Sequence, residues 1–219
     1  MDVRIAESAE EAAGFAGAWL SDRLREAIAL RGEVSLAVSG GSTAPGLFAA
    51  LAGEPDVAWP AVSLWQVDER VAPDGDPDRN AGQLDALPSA ATVHLMPVTA
   101  PDLSIACDEY AATLPEQFDV VHLGVGPDGH TASWPPGDPV AYDSHPVAMS
   151  AEYQGRRRMT LTPGVVNAAT WRLVYVLGAS KADVVASWLR GDDSLPIGLV
   201  EERSTVVVLD PGASSGLPQ

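Results

Sequence analysis

The chain has one cysteine and one lysine among 219 residues, and each scarcity excludes something. Cys107 alone builds no internal disulfide framework and has no cysteine partner for a zinc site. It lies in the helical-looking "SIACDEYAATL" and reads as a packed small hydrophobe. No apolar run reaches the roughly 18 residues that a membrane-spanning helix needs. The opening "MDVRIAESAEEAAG" is acidic where an export signal is basic and then apolar, so a cytoplasmic location is expected. Positive charge is scarce as well, with 13 Lys and Arg against 30 Asp and Glu and a net charge of −17. Such a surface repels nucleic-acid phosphates. A small anionic ligand is still accommodated if the few cations gather at one place.

What is present is alternation. Hydrophobic residues make up 46% of the chain, the composition of a globular protein. "SAEEAAGFAGAWLSDRLREAIALRG" opens with a capping box, Ser8 and Glu11, and closes on Gly32, which predicts a long first helix. Strands are expected at "EVSLAVS", "VSLWQVDE", "ATVHLMPV", "FDVVHLGVG", "RRMTLT", "WRLVYVLG" and "STVVVLD". Helices are expected at "GGSTAPGLFAALAG", "PDLSIACDEYAATL", "PGVVNAA" and "ASKADVVASWLRG". The pattern predicts one α/β domain over residues 1–219, its largely parallel sheet covered on both faces, with residues 211–219 a frayed tail. Ligands of such sheets bind at the carboxyl ends of the strands. Four chemically loaded segments fall there: "SGGST", "DER", "GVGPDGH" and "GASK".

In "SGGST", Gly40 and Gly41 let the backbone approach a ligand, and Ser42 and Thr43 add hydroxyls. The free amides and the positive end of the following helix suit a phosphate. No Walker sequence is present. In "VDER", Arg70 supplies a fork for phosphate oxygens, while Asp68 or Glu69 meets sugar hydroxyls or positions Arg70.

"HLGVGPDGHTASWPPG" fits the G-x-G-x-x-G spacing of a dinucleotide loop through Gly124, Gly126 and Gly129. That loop should run into a long helix, yet Pro135 and Pro136 intervene, and no convincing acid follows about 20 residues on. The glycines serve instead to bend the chain and leave Asp128 and His130 two apart at a strand end. A histidine accepts a proton near neutral pH, and a nearby carboxylate fixes its tautomer and stabilises the imidazolium. Lys181, near a helix start in "GASKADVV", is explained by an anionic ligand, since a cation there opposes the helix dipole. Of the arginines in "RRRMTLT", Arg158 is best placed, whereas Arg156 and Arg157 suit solvent.

"GASSG" near the C-terminus matches G-x-S-x-G, but no helix is expected after it, which argues against a serine nucleophile. His94, His122, His130 and His145 show no metal-ligand spacing. His94 and His122 fall within expected strands.

Together "SGGST", "DERVAP", "GVGPDGHTAS", "RMTLTPGVVNAA" and "GASKADVV" resemble the 6-phosphogluconolactonases in order and spacing, over about residues 35–200. The related glucosamine-6-phosphate deaminases share the G-x-G-x-D-G-H core, but "HTAS" and "DER" favour the lactonases. The resemblance implies a three-layer α/β/α fold and hydrolysis of 6-phospho-D-glucono-1,5-lactone to 6-phosphogluconate in the pentose phosphate pathway. It implies no metal or organic cofactor, and a functional link to glucose-6-phosphate dehydrogenase. By motif match, His130 is the base that activates water and Asp128 supports it. Gly40, Gly41, Ser42, Arg70 and Lys181 hold the phosphate or adjacent sugar, with Arg158 a further candidate. Backbone amides of "GPDGH" are candidates for stabilising the carbonyl oxygen. Asn167 also stands where the family carries asparagine.

Three departures from the family pattern bear on substrate fit. "SWPPG" brings Trp134 and Pro135 near the base, Arg79 precedes Asn80 after the DER loop, and "GSTAP" is one residue longer before its proline. A deaminase using Asp68 to move a carbon-bound proton is the alternative enzyme. A sugar-phosphate sensor is the non-enzymatic one, and would need an attached DNA-binding segment.

Overall fold

Ser8 and Gly32 bracket the first helix as their chemistry dictates. In the computed structural model, which describes residues 1–218, helix α1 spans Ala9–Arg31. Ser8 Oγ accepts from the Glu11 amide at 3.1 Å. Gly32 takes the left-handed conformation at φ +84° and its amide donates to the Ile28 carbonyl at 2.7 Å.

Ten strands follow in chain order: β1 (Asp2–Ile5), β2 (Val34–Val38), β3 (Val62–Gln66), β4 (Asp68–Arg70), β5 (Thr92–His94), β6 (Val120–Leu123), β7 (Val147–Met149), β8 (Arg158–Leu161), β9 (Trp171–Val176) and β10 (Thr205–Leu209). The remaining helices are α2 (Ala44–Gly53), α3 (Leu103–Ala111), α4 (Pro163–Ala168), α5 (Ala182–Leu189) and α6 (Pro211–Ser214). Seven strands make one sheet in the order β1-β10-β9-β6-β2-β3-β5, and every pairing is parallel. Side chains alternate between two cores. Leu36 and Val38 of β2 join Leu20, Leu24, Leu47 and Phe48 from α1 and α2. Ala37 faces the other way, toward Trp65, Phe118, Val185 and Trp188. The result is three layers, helix, sheet and helix, as the alternation implies.

Four expectations need correction. The run "VSLWQVDE" breaks after Gln66, and β4 leaves the main sheet to pair antiparallel with β8, which pairs with β7. Accordingly "RRMTLT" is a strand of this small sheet. The strand expected at "ATVHLMPV" is confined to Thr92–His94. The expected frayed tail instead begins with α6, because Asp210 accepts from the Ala213 amide at 2.7 Å and Ala213 is buried.

Strand order reverses between β6 and β2, the kind of switch point where open parallel sheets bind ligands. "SGGST" leaves β2 and "GVGPDGH" leaves β6, so both meet at this crevice.

His122 of β6 is fully buried between Phe48 and Tyr175, and neither ring nitrogen has a hydrogen-bond partner among the described residues. Burial pushes it down to about 3, so the folded state keeps the ring neutral where the unfolded chain takes up a proton. Its neutrality therefore favours folding fully above the unfolded value near 6.5, and that contribution is lost as pH falls toward 3. The variant His122→Leu keeps the apolar packing and removes the titration. Its unfolding free energy, read from urea melts at pH 7 and pH 4, is expected to fall less between the two than that of the parent. An equal fall would contradict the burial argument.

Candidate active site

A cavity of about 240 Å³ opens at the switch point. The structure brings to it Gly40, Gly41, Ser42 and Thr43, Asp68 and Arg70, His130, Arg158 and Lys181. Three cations and the Asp68 carboxylate thus line one cavity in a chain of net charge −17.

The glycines of the histidine loop have separate duties. A Cβ on Gly126 would stand 2.0 Å from both Cε1 and Nδ1 of His130, so the ring occupies the space that a side chain would need. Gly129 turns the chain at φ +82°, a conformation that costs L-residues. The Gly126 amide donates to the His130 carbonyl at 2.8 Å and closes the turn. This loop presents a histidine.

His130 Nδ1 lies 2.6 Å from Asp128 Oδ1. Burial pushes the Asp128 carboxyl up, but hydrogen bonds from Tyr153 and His130 outweigh it and hold the group below the usual carboxylate range. An ionised carboxylate only accepts, so Nδ1 carries the proton and Nε2 keeps its lone pair. Nε2 has no partner among the described residues and is the nitrogen free to take a proton from water.

Arg70 Nη1 donates to Asn80 Oδ1 at 2.8 Å and to the Asp78 carbonyl at 2.7 Å, so these groups rather than Asp68 or Glu69 position it. Gly40 is part of the same arrangement, because a Cβ there would stand 2.3 Å from Asn80 Oδ1. Glu69 is fully buried and braces the loop by accepting from the amides of Arg70, Asn80 and Ala81. Asp68 accepts from Ser133 Oγ at 2.6 Å. Burial raises its pKa, against the Ser133 bond and the charges of Arg70 and Arg158. Lys181 caps the start of α5, and burial lowers its pKa while the charge of Asp128 opposes the shift.

Several expectations are corrected here. The Gly41 amide donates to Gln83 Oε1 at 3.0 Å and is therefore not free, whereas those of Gly40, Ser42 and Thr43 find no acceptor among the described residues. In "GPDGH" the amides of Gly126, Gly129 and His130 are engaged within the turn, which leaves that of Asp128 alone uncommitted. Arg79 turns away from the cavity to pair with Glu69 at 3.1 Å and Asp74 at 2.9 Å. Trp134 is fully buried, its indole donating to the Leu161 carbonyl at 2.8 Å, and so packs the core rather than shaping the cavity. Asn167 ties down residues 199–201 away from the site. Arg156 pairs with Asp76 and Asp78. Cys107, by contrast, is the packed hydrophobe expected: it is buried, and burial first and then Asp108 push its thiol up to about 11.

Sequence reading missed Tyr153, Gln154, Ser133 and Asn80. Gln154 and Asn80 line the cavity. Tyr153 Oη donates to Asp128 Oδ2 at 2.5 Å, and Gln154 Oε1 accepts from Arg158 Nη2 at 3.0 Å.

The model of the family described as glucosamine-6-phosphate isomerases/6-phosphogluconolactonase matches residues 7–209. The chain belongs to that family. It is 33% identical to the 6-phosphogluconolactonase of Streptomyces coelicolor, with 93% of this chain and 90% of the relative covered. A solved 6-phosphogluconolactonase from Shewanella baltica superposes with a TM-score of 0.88 at 25% identity, covering 96% of this chain and 97% of the other. The rabbit GDH/6PGL endoplasmic bifunctional protein is 34% identical over 73% of this chain, a stretch that makes up 22% of the rabbit protein. Family membership thus agrees with a histidine-presenting loop and not with a dinucleotide site.

Proposed function

We infer that this chain hydrolyses 6-phospho-D-glucono-1,5-lactone to 6-phosphogluconate, with His130 as general base. The observation that carries the reading is the Asp128–His130 pair, its Nε2 uncommitted, in a cavity that also holds three cations and unpaired loop amides. A lactone is an activated ester, so one positioned base suffices and no covalent nucleophile is required. Water gives its proton to Nε2 as its oxygen bonds to the lactone carbonyl carbon. The tetrahedral intermediate then collapses, the bond from that carbon to the ring oxygen breaks, and the leaving oxygen takes the proton back from the imidazolium. The new carboxylic acid ionises in solvent.

Asp128 stabilises the imidazolium formed midway. Ser42, Thr43, Arg70 and Lys181 hold the phosphate, the first two through the loop amides at the start of α2. The anchored phosphate fixes the distance of the carbonyl from the base. Arg158, which shares Tyr153 with His130, meets the developing alkoxide in place of the committed turn amides. Asp68 accepts from a sugar hydroxyl. A glucose-6-phosphate dehydrogenase would supply the lactone, a link supported by the likeness to the rabbit bifunctional protein.

The test generates the lactone in situ from glucose 6-phosphate and follows its loss, with spontaneous opening subtracted. Acceleration by the protein is the expected result. No acceleration, together with ammonia release from glucosamine 6-phosphate, would overturn the reading in favour of a deaminase.

A further inference from the structure

Residues 153–156 form a tight hairpin beside the cavity, closed by the Tyr153 amide donating to the Arg156 carbonyl at 2.9 Å. Its two central residues both have positive φ, Gln154 at +53° and Gly155 at +79°. Turns of this kind favour Asn-Gly or Gly-Gly, because an ordinary side chain is strained in the left-handed region. A glutamine kept in such a position carries a conformational cost, and its side chain is not idle. Gln154 Oε1 accepts from Arg158 Nη2 at 3.0 Å, and Gln154 Nε2 donates to Tyr153 Oη at 3.0 Å. Tyr153 Oη in turn donates to Asp128 Oδ2 at 2.5 Å, while His130 holds the other carboxylate oxygen at 2.6 Å. Every donor in this chain points the same way, from the Arg158 guanidinium to the Asp128 carboxylate, an arrangement in which each bond polarises the next. The Tyr153 ring is also shared. The Arg158 guanidinium lies 5.0 Å from its centroid, and the His130 ring meets it edge-on at 5.3 Å.

We propose that the Tyr153–Gln154 hairpin is a positioning element that locks the Asp128 carboxylate, and through it the His130 ring, to the cavity-lining Arg158. The proposal rests on His130 being the base. Tyr153 and Gln154 are positioning residues, because both act on the base through Asp128. Burial, followed by the hydrogen bond to Asp128, pushes the phenol up to about 12, so Tyr153 stays protonated and serves as a donor throughout the neutral range.

Two variants separate this role from a structural one. Tyr153→Phe keeps the ring against Arg158 and His130 and removes only the hydroxyl. It is expected to lower kcat on the lactone about 10-fold with KM unchanged, the lower end of the loss seen when a histidine bound to a metal loses its outer hydrogen-bond partner. Gln154→Gly removes the amide and relieves the left-handed strain. It is expected to melt at the same or a higher temperature than the parent and yet to lose kcat several-fold, roughly in line with the loss in Tyr153→Phe. A merely structural hairpin would instead lose melting temperature, or KM and kcat together, and either pattern would overturn the proposal, as would parental kcat in both variants.

An independent reading needs no substrate. The low-field NMR signal of the hydrogen-bonded His130 Nδ1 proton, assigned by its loss in His130→Gln, should move in Tyr153→Phe. An unmoved signal would overturn the coupling. A parent protein that opens no lactone would sink the functional reading alone, and this signal would then still decide whether Tyr153 acts on the Asp128–His130 pair.

Discussion

Replacing His130 by alanine is expected to lower lactone turnover about 10²–10⁴-fold, the range that one positioned base contributes. The effect should fall on kcat. The phosphate contacts assigned to Ser42, Thr43, Arg70 and Lys181 do not involve the imidazole, so calorimetry should still find 6-phosphogluconate binding, weakened far less than kcat. Asp128 would be left without its imidazole partner but keeps the Tyr153 hydroxyl and the charge of Arg158 nearby. The loop itself is closed by backbone bonds from Gly126 to His130 and from Gly129 to Gly126, which survive the truncation. A variant that turned over lactone at the parental rate would remove His130 from the mechanism.

The second large effect is expected at Gly126. Its backbone does not lie in the left-handed region, so alanine is admissible there on conformational grounds. The difficulty is the imidazole, with Cε1 and Nδ1 each 2.0 Å from where the new Cβ would stand. The ring must swing aside, and the 2.6 Å contact of Nδ1 with Asp128 is lost as it moves. Displacing a catalytic group by about 1 Å costs on the order of 10²-fold, so Gly126→Ala should lose at least that factor in kcat while keeping the unaltered base residue. Steady-state kinetics beside a crystal structure of the variant would check it. A full-rate variant with its ring unmoved would contradict the packing. This is also the physical answer to the G-x-G-x-x-G spacing, whose middle glycine makes room for a side chain rather than for a pyrophosphate.

How much of this was legible in the sequence depended on how local the cause was. Helix α1 was readable because its caps lie within the segment itself, at Ser8 and Gly32. Strands β2 and β6 were readable as short apolar runs followed by glycine loops, and the candidate cavity opens at their carboxyl ends. Strand β1 was not readable. Its four residues, DVRI, are all exposed and are fixed by pairing with β10, some 200 residues later in the chain. Strand β7 has three residues, too few for a period of two to register, and nothing local in "VSLWQVDE" marks the break between β3 and β4. The roles of Glu69 and Asn80 could not be separated from those of Asp68 and Arg70, because "DER" gives no sign of which buried acid lines the cavity and which braces the loop. Tyr153 and Gln154 carried no motif at all. They approach Asp128 only through the fold, across 25 residues of chain. The one available signal was Gln-Gly between a tyrosine and an arginine run, which suggests a turn but no partner.

The most direct test of the assigned site is a crystal structure of the protein with 6-phosphogluconate bound. The account predicts the phosphate against the amides of Ser42 and Thr43 and the side chains of Arg70 and Lys181. The new carboxylate should lie on the Nε2 side of the His130 ring, with one of its oxygens facing Arg158. A product bound in the reverse sense, its phosphate at His130, or bound outside this cavity, would contradict the assignment of base and anchor together.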